Sequence, residues 1–310
     1  MLAKHSHQTG VALVTALLVT AIATVTAVSM AARQQLDLRR TANVLDTDQA
    51  YLFALGVEAW ARQILIRDRK DGNIDHPGED WATVLPPIAV EGALLSGSIE
   101  DLQGRFNLNN LLQDGAASEK DIQRFRRLLQ ALGLDTRIAL AVVDWMDADE
   151  ELSFPDGAED NEYLGMAQPY RTPNRPMASP SELLLVQGVD RQAYETLAPH
   201  VATLPVRTPI NVNTATAPVL MSLVEGLSQS DAEQLIEARG DEGYENISAF
   251  KNQDVFKDKT ETIDNISVAS NFFMVSANVR LERAQTQLYS LLSRNNDASV
   301  QVVMRAQGAY

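Results

Sequence analysis

Gly10-Val11-Ala12-Leu13-Val14-Thr15-Ala16-Leu17-Leu18-Val19 opens a run in which no charge appears until Arg33. The twenty-two residues from Val11 to Ala32 are all uncharged. At a helical rise of about 1.5 Å each they span roughly 33 Å, close to the ~30 Å hydrocarbon thickness of a bilayer. A secretory signal carries a shorter apolar core of ~7–15 residues before a small-residue cleavage site. Ser29-Met30-Ala31 would pass as such a site, but this run is longer. Ahead of it lies a short polar leader, residues 1–10, with Lys4 and two histidines. A lysine on that side places the leader in the cytoplasm and the remainder across the membrane, by the positive-inside rule. The stretch predicts a single-pass anchor over 11–32.

Beyond Arg33 the helical pattern continues. Leu38, Ala42, Leu45, Leu52, Leu55 and Ala59 recur at spacings of three, four and seven, which marks one face of a helix. No proline interrupts before Pro77, so one helix is expected from about Val11 to about Arg67, lipid-compatible first and amphipathic afterwards. Asp68 to Pro87 reads as a turn-rich connection and Gly92 to Leu112 as extended structure. At the other end, Phe273, Val275, Ala277, Val279 and Leu281 alternate with Met274, Ser276, Asn278 and Arg280, a period-two strand. Thr286–Ser293 and Ser299–Arg305 read as two more, with Asn295-Asn296-Asp297 as their turn and a polar, turn-like stretch over 250–264 before them. The expected class is α+β: a long helix whose second half packs on an antiparallel meander.

Between these ends the chain repeats itself. Phe106-Asn107-Leu108-Asn109-Asn110 is echoed by Ile210-Asn211-Val212-Asn213-Thr214. In the second copy Thr214 is the expected N-cap, with Pro218 in the first helical turn. Three further units share one pattern, an apolar helix, a glycine, an apolar residue and a second helix. They centre on Gly133, Gly188 and Gly226. This is the helix-hairpin-helix pattern, in which glycine supplies the positive φ that ends the first helix. The expected division is 33–112 and 208–310 for a parent body, with an all-α domain inserted over 113–207.

Composition narrows the function. With 26 Lys and Arg against 41 Asp and Glu, the net charge is −15, the wrong sign for a surface that must neutralise phosphates. The third hairpin unit looks like the DNA-binding hairpins of competence proteins, but Glu225 to Asp231 puts acid where those carry base. No nucleic-acid partner is expected, and a membrane-anchored DNA-uptake module is the lesser alternative. There is no cysteine, hence no disulfide and no thiolate metal site. Neither G-x-S-x-G, a P-loop nor H-E-x-x-H is present. Past the leader only His76 and His200 remain, each beside a proline. No enzyme is expected.

From 144 to 162 there are nine acids and no base. Such a loop is either fully solvated or shares a cation. Oxygen donors without histidine or cysteine favour calcium over zinc or copper. The spacing is not that of an EF-hand, whose glycine and terminal glutamate are missing. A metal-assisted hydrolase would use the same carboxylates, but no substrate-positioning residue accompanies them.

Two sets of residues carry a family resemblance. The junction Gly10–Val11 resembles the prepilin-peptidase site of type IV pilins and type II secretion pseudopilins, although an anchor helix with an incidental glycine would read the same. The resemblance implies cleavage after Gly10 and methylation of Val11. The family's glutamate at the fifth mature position is Thr15 here, the mark of the K-class minor pseudopilins. The second set is Asp144-Trp145-x-Asp147-x-Asp149, Gly157-Ala158-Glu159-Asp160-x-x-Tyr163, Pro169-Tyr170-x-x-Pro173-Asn174-x-Pro176 and Glu182-Leu183. It is similar to that class from end to end.

That class implies a pilin-like fold with an inserted helical domain, and calcium bound in the acidic segment. Carried over residue by residue, Asp147, Asp149, Glu159 and Asp160 are the first choices as ligands, then Asp144, Glu151 and Asp156. It also implies a subunit at the tip of the pseudopilus, supporting protein export with minor pseudopilins of the I and J classes. The implied location is the inner membrane, with the body in the periplasm.

Overall fold

The structure, a computed structural model, describes residues 9–259 and 262–308. The leader reading, Lys4 included, falls on residues 1–8 and lies outside them.

Helix α1 spans Thr9–Asp71 without a break at Gly10–Val11, and ends past the expected limit near Arg67. Within the apolar run the hydroxyls of Thr15, Thr20, Thr24 and Thr26 each donate to the carbonyl four residues back. The four threonine hydroxyls of the run thus find acceptors inside the helix itself, which suits a segment placed in hydrocarbon.

The helix reaches the body at Ala50. Ala50, Ala54, Val57, Ala61 and Leu65 are buried at spacings of three and four against the sheet. The leucine face picked out in the sequence is not the packing face. Leu38, Leu45 and Leu52 are 64, 62 and 66% exposed. Small side chains let the helix lie close on the sheet, so the buried stripe is mostly alanine and the stronger hydrophobic periodicity points elsewhere.

After α1 come a 3₁₀ turn at Asp80–Ala82, strand β1 (Leu85–Val90) and strand β2 (Ala93–Asp101). Pro86 and Pro87, expected in the connection, lie within β1. This is an edge strand, where a missing N–H costs no ladder bond. The extended structure expected up to Leu112 stops at Asp101.

The chain then leaves the sheet. It forms β3 (Phe106–Asn107), a 3₁₀ turn (Leu108–Leu111), β4 (Leu112–Gln113), β5 (Ala116–Ala117), α2 (Glu119–Ala131), α3 (Ile138–Met146) and α4 (Asp160–Leu164). A 3₁₀ segment (Pro180–Leu185), α5 (Arg191–Leu197) and β6 (Val201–Ala202) follow. Then come β7 (Ile210–Asn211), α6 (Ala217–Met221), α7 (Gln229–Arg239), α8 (Ile247–Lys251) and β8 (Ile266–Ser267). It rejoins the sheet as β9 (Phe272–Leu281), β10 (Ala284–Arg294) and β11 (Val300–Gln307). The sheet order is β1-β2-β9-β10-β11, antiparallel throughout.

Because β2 pairs directly with β9, with Asp101 opposite Phe273, everything between them is one excursion. The return expected at 208 thus comes at Phe272. Residues from Phe106 to Ile266 share a single hydrophobic core.

The echoed asparagine motif is a structural repeat. β3 pairs in parallel with β6, and β7 in parallel with β8, so each half opens and closes on a two-residue parallel ladder. In the first half Asn109 accepts from the Met177 N–H and donates to its carbonyl. In the second, Asn213 does the same with Tyr244. Gly133, Gly188 and Gly226 hold φ of +68°, +84° and +72°, the conformation the hairpin reading asked of them. The second unit is led by a 3₁₀ segment rather than an α-helix. In the third, Thr216 rather than Thr214 is the N-cap.

Thr214 instead donates to Asp101, at a buried joint between excursion and sheet. There Asn211 Nδ2 donates to Asp101 Oδ2 (3.0 Å), the Asp75 carbonyl (3.0 Å) and Ser270 Oγ (2.9 Å). Arg294, 1% exposed, bridges Asp68 and Asp75 and lies 4.7 Å over the Phe273 ring.

Candidate metal centre

Helix α3 is buried along its whole length. It ends at Asp147, whose N–H still donates to the Val143 carbonyl while its ψ of 169° turns the chain out of the helix. Asp144 and Asp147, three apart, therefore sit on one side of the last turn. The chain loops out and returns as α4, with Glu159 as its N-cap residue. Trp145 packs edge-on against Tyr163 at 5.4 Å, and Tyr163 against Tyr170 at 5.3 Å. These rings fix the start of α4 beside the end of α3.

The result is three carboxylates with one oxygen each within 4.8 Å of the others, from Asp144, Asp147 and Glu159. Asp144 accepts from the Ser153 N–H. Among the described residues, Asp147 Oδ1 and both Glu159 oxygens are buried without a donor at full hydrogen-bond geometry, and the Asp160 backbone N–H lowers the Glu159 carboxyl only in part against its burial. A fourth buried oxygen, Asn174 Oδ1, is also without a donor, on a side chain whose Nδ2 donates to the Asp149 carbonyl. Asn174 stands in the motif Pro173-Asn174-x-Pro176, but sequence reasoning did not single it out as an oxygen donor.

The electrostatics follow. Burial, then the charges of Asp149 and Asp144, push the Asp147 carboxyl up to about 7. Burial, then Asp144 and Asp147, push Glu159 up to about 7. Burial raises Asp144 too, against the lowering bonds from Ser153. Buried carboxylate oxygens without donors are costly, and a proton or a cation removes that cost.

The other expected ligands lie outside this group. Asp149 is exposed and accepts from the Glu151 N–H at 2.8 Å, and Glu151 is exposed. Asp160 is engaged by Arg171 at 2.6 Å and by both the N–H and hydroxyl of Thr172 at 3.0 Å. Asp156 lies in the field of Arg137. The resemblance put Asp149 and Asp160 ahead of Asp144, whereas the carboxylate that lies with Asp147 and Glu159 is that of Asp144.

A second acidic group, Asp68, Asp75 and Glu79, is equally tight but already served. Arg294 pairs with the first two, and Glu79 accepts from Trp81 Nε1 at 2.6 Å and the His76 N–H at 3.0 Å. Among the described residues, these two are the tight acidic groups, and the one in the excursion has buried carboxylate oxygens without a donor.

An N-terminal helix long and apolar enough to cross a membrane runs into a helix-on-sheet body, with a helical excursion between adjacent strands, and this defines the class of protein: a long helix carrying a folded head. Residues 104–206 and 210–269 match two family models, both described as type II secretion system protein K. Curated relatives called type II secretion system protein K are 38% identical in Pseudomonas aeruginosa, 35% in Klebsiella pneumoniae and 32% in Aeromonas hydrophila. The alignments cover 97, 99 and 97% of this chain and 93, 98 and 98% of theirs. A chain in the crystal structure of the GspK-GspI-GspJ complex from the enterotoxigenic Escherichia coli type 2 secretion system superposes with a TM-score of 0.79 at 25% identity. That match covers 87% of this chain and all of the other. The chain belongs to the type II secretion system protein K family. It is a minor pseudopilin of type II secretion, and neither a DNA-uptake module nor a hydrolase is favoured.

Proposed function

We propose that the chain is the tip subunit of a pseudopilus, a structural component without catalysis of its own. In this reading it is cut after Gly10 by the prepilin peptidase, methylated at Val11 and anchored in the inner membrane with its body in the periplasm. It assembles there with minor pseudopilins of the I and J classes, as the related GspK does in its complex with GspI and GspJ. The observation that carries the position is the excursion from Leu102 to Asn271, which enlarges the head beyond helix and sheet and would obstruct a subunit stacked above it. The hairpin units within it serve packing. Lys259 donates to the Gly226 carbonyl, so the base nearest that turn is used internally.

Calcium is held by Asp144, Asp147 and Glu159 in this proposal, with Asn174 Oδ1 as a further oxygen donor. The all-oxygen set suits a hard cation. Bound there, the ion would tie the end of α3 to the start of α4. The test of the assignment is mass spectrometry and co-purification from membranes that express the I- and J-class partners. The mature chain should begin at methylated Val11 and recover both partners. An uncut chain, or one recovering neither, overturns it.

A further inference from the structure

Phe154 is 88% exposed, more than any other large apolar side chain among the described residues, the apolar run of α1 included. Leu152, two residues back, is 46% exposed, and Pro155 is exposed as well. The backbone beneath them is held firmly. The Gly157 N–H donates to the Ser153 carbonyl at 2.8 Å, which closes the chain around Phe154, Pro155 and Asp156. The Ser153 N–H donates in turn to Asp144 Oδ2 at 3.1 Å. The closed turn is therefore seated on a carboxylate of the candidate ion site, with its apolar side chains outward.

Charge narrows what such a turn can meet. Asp149, Glu150 and Glu151 lead into it and are exposed, Asp156 follows it, and no base lies between 144 and 162. Segments that enter a lipid surface back their apolar side with lysine and arginine, and this one is backed by acid. A second copy would bring the same acids face to face. The complementary surface is that of a protein with an apolar pocket for one aromatic side chain and lysine or arginine on its rim.

We propose that the turn Leu152-Ser153-Phe154-Pro155 is a docking element for such a protein, with Phe154 as the anchor and a bound ion as its support. An ion at Asp144 fixes the seat of the turn, so calcium strengthens docking; this part rests on the calcium site proposed above. One ring and its neighbours cover far less than the ~800 Å² per partner of a stable interface. The contact is therefore weak and transient, and the charges around the ring steer it.

The test uses the full chain in membranes that hold the complete secretion apparatus, with the photoreactive probe p-benzoylphenylalanine in place of Phe154. It should crosslink to one protein, and mass spectrometry should place the link in an apolar segment flanked by lysine or arginine. The yield should fall about fivefold or more in ~0.5 M salt, and as far with Glu150→Lys and Glu151→Lys combined at saturating calcium. A chelator should lower it, and added calcium restore it. These side chains are exposed, so the unfolding midpoint of the double variant should not move. Crosslinking only to lipid, only to a second copy, at a site without bases or to nothing overturns the docking element. So does a yield indifferent to the charge reversal. The ion is judged apart, by the unfolding midpoint: a chain that calcium stabilises while the crosslink ignores it overturns the support role. A chain that calcium does not stabilise removes the calcium site itself, and the support role with it.

Discussion

Asn211 Nδ2 lies 3.0 Å from Asp101 Oδ2, and this contact joins the first residues of the excursion's second half to the last residue of β2. Both side chains are buried. Burial pushes Asp101 up to about 6, against the lowering bonds from Ser270, Thr214 and Gln103. Asn211→Ala removes the bonds to Asp101, the Asp75 carbonyl and Ser270 Oγ. It leaves the buried Asp75 carbonyl without this donor while Asp101 keeps those from Ser270, Thr214 and Gln103, for a loss of about 3 kcal/mol in denaturant unfolding. Asn211→Asp places a second acid there. It should be least stable above pH 6, where both carboxyls ionise, and partly recover at pH 5.

The ion-free carboxylate group has a pH signature of its own. The folded values of Asp147 and Glu159, about 7, exceed those of an unfolded chain, about 4. The native state therefore binds more protons between pH 4 and 7, and stability falls as pH rises through that window. With a chelator, the unfolding midpoint should be lower at pH 8 than at pH 5.5. Asp68 and Asp101, both raised to about 6 chiefly by burial, add a part that calcium does not touch. Calcium should raise the midpoint more at pH 8, and at one hundred times its dissociation constant it adds about 2.7 kcal/mol to the unfolding free energy. No gain at millimolar calcium would remove the ion from the proposal.

Gly157 is there because nothing larger fits. A Cβ at this position would stand 2.0 Å from Asp144 Oδ2 and 2.6 Å from the Ser153 carbonyl. Gly157→Ala should shift Asp144 and abolish calcium-induced stabilisation, while Asp147→Asn should weaken it with less effect on the ion-free chain. Calorimetric titration with calcium separates the two.

Glu58 on α1 accepts from Arg305 Nε at 2.7 Å and Nη2 at 2.9 Å, and from Ser290 Oγ at 2.6 Å. Although burial raises the Glu58 carboxyl, the bonds from Arg305 and Ser290 hold it below the ordinary value. Arg305→Ala should cost about 1–3 kcal/mol, less than a fully buried pair because Arg305 is partly exposed. The pair's contribution is present above the unfolded value near pH 4.5 and is lost as pH falls through the lower folded one. The variant's deficit in urea unfolding should therefore be smaller at pH 3 than at pH 7.

Thr15 returns its hydroxyl to the Val11 and Ala12 carbonyls at 3.1 and 3.0 Å and requires no neighbour. Thr15→Glu puts a carboxylate into hydrocarbon, a cost of about 2.5–3.5 kcal/mol without a partner. Secretion assays and pseudopilus length by microscopy should both register it.

The apolar run, the long helix, the three C-terminal strands and the repeated asparagine motif were legible because each rests on local periodicity or on spacing along the chain. Positive φ at Gly133, Gly188 and Gly226 belongs with them, since a glycine between two apolar helices has a local reason to be there. Leu38, Leu45 and Leu52 show the limit: periodicity reveals an apolar face but not what covers it, and the sheet took the alanine stripe instead. Pro86 and Pro87 could be placed in a strand only once that strand was known to lie at an edge. Nine acids in one loop raised the choice between a solvated loop and a shared cation. Which oxygens converge depended on Trp145 and Tyr163 drawing the end of α3 to the start of α4, a contact eighteen residues apart in the chain. The return to the sheet at Phe272 rather than 208 was hidden for the same reason. Composition and periodicity act locally and determine elements and charge, whereas the pairing of β2 with β9 and the meeting of Asp144, Asp147 and Glu159 arise only when distant segments share one core.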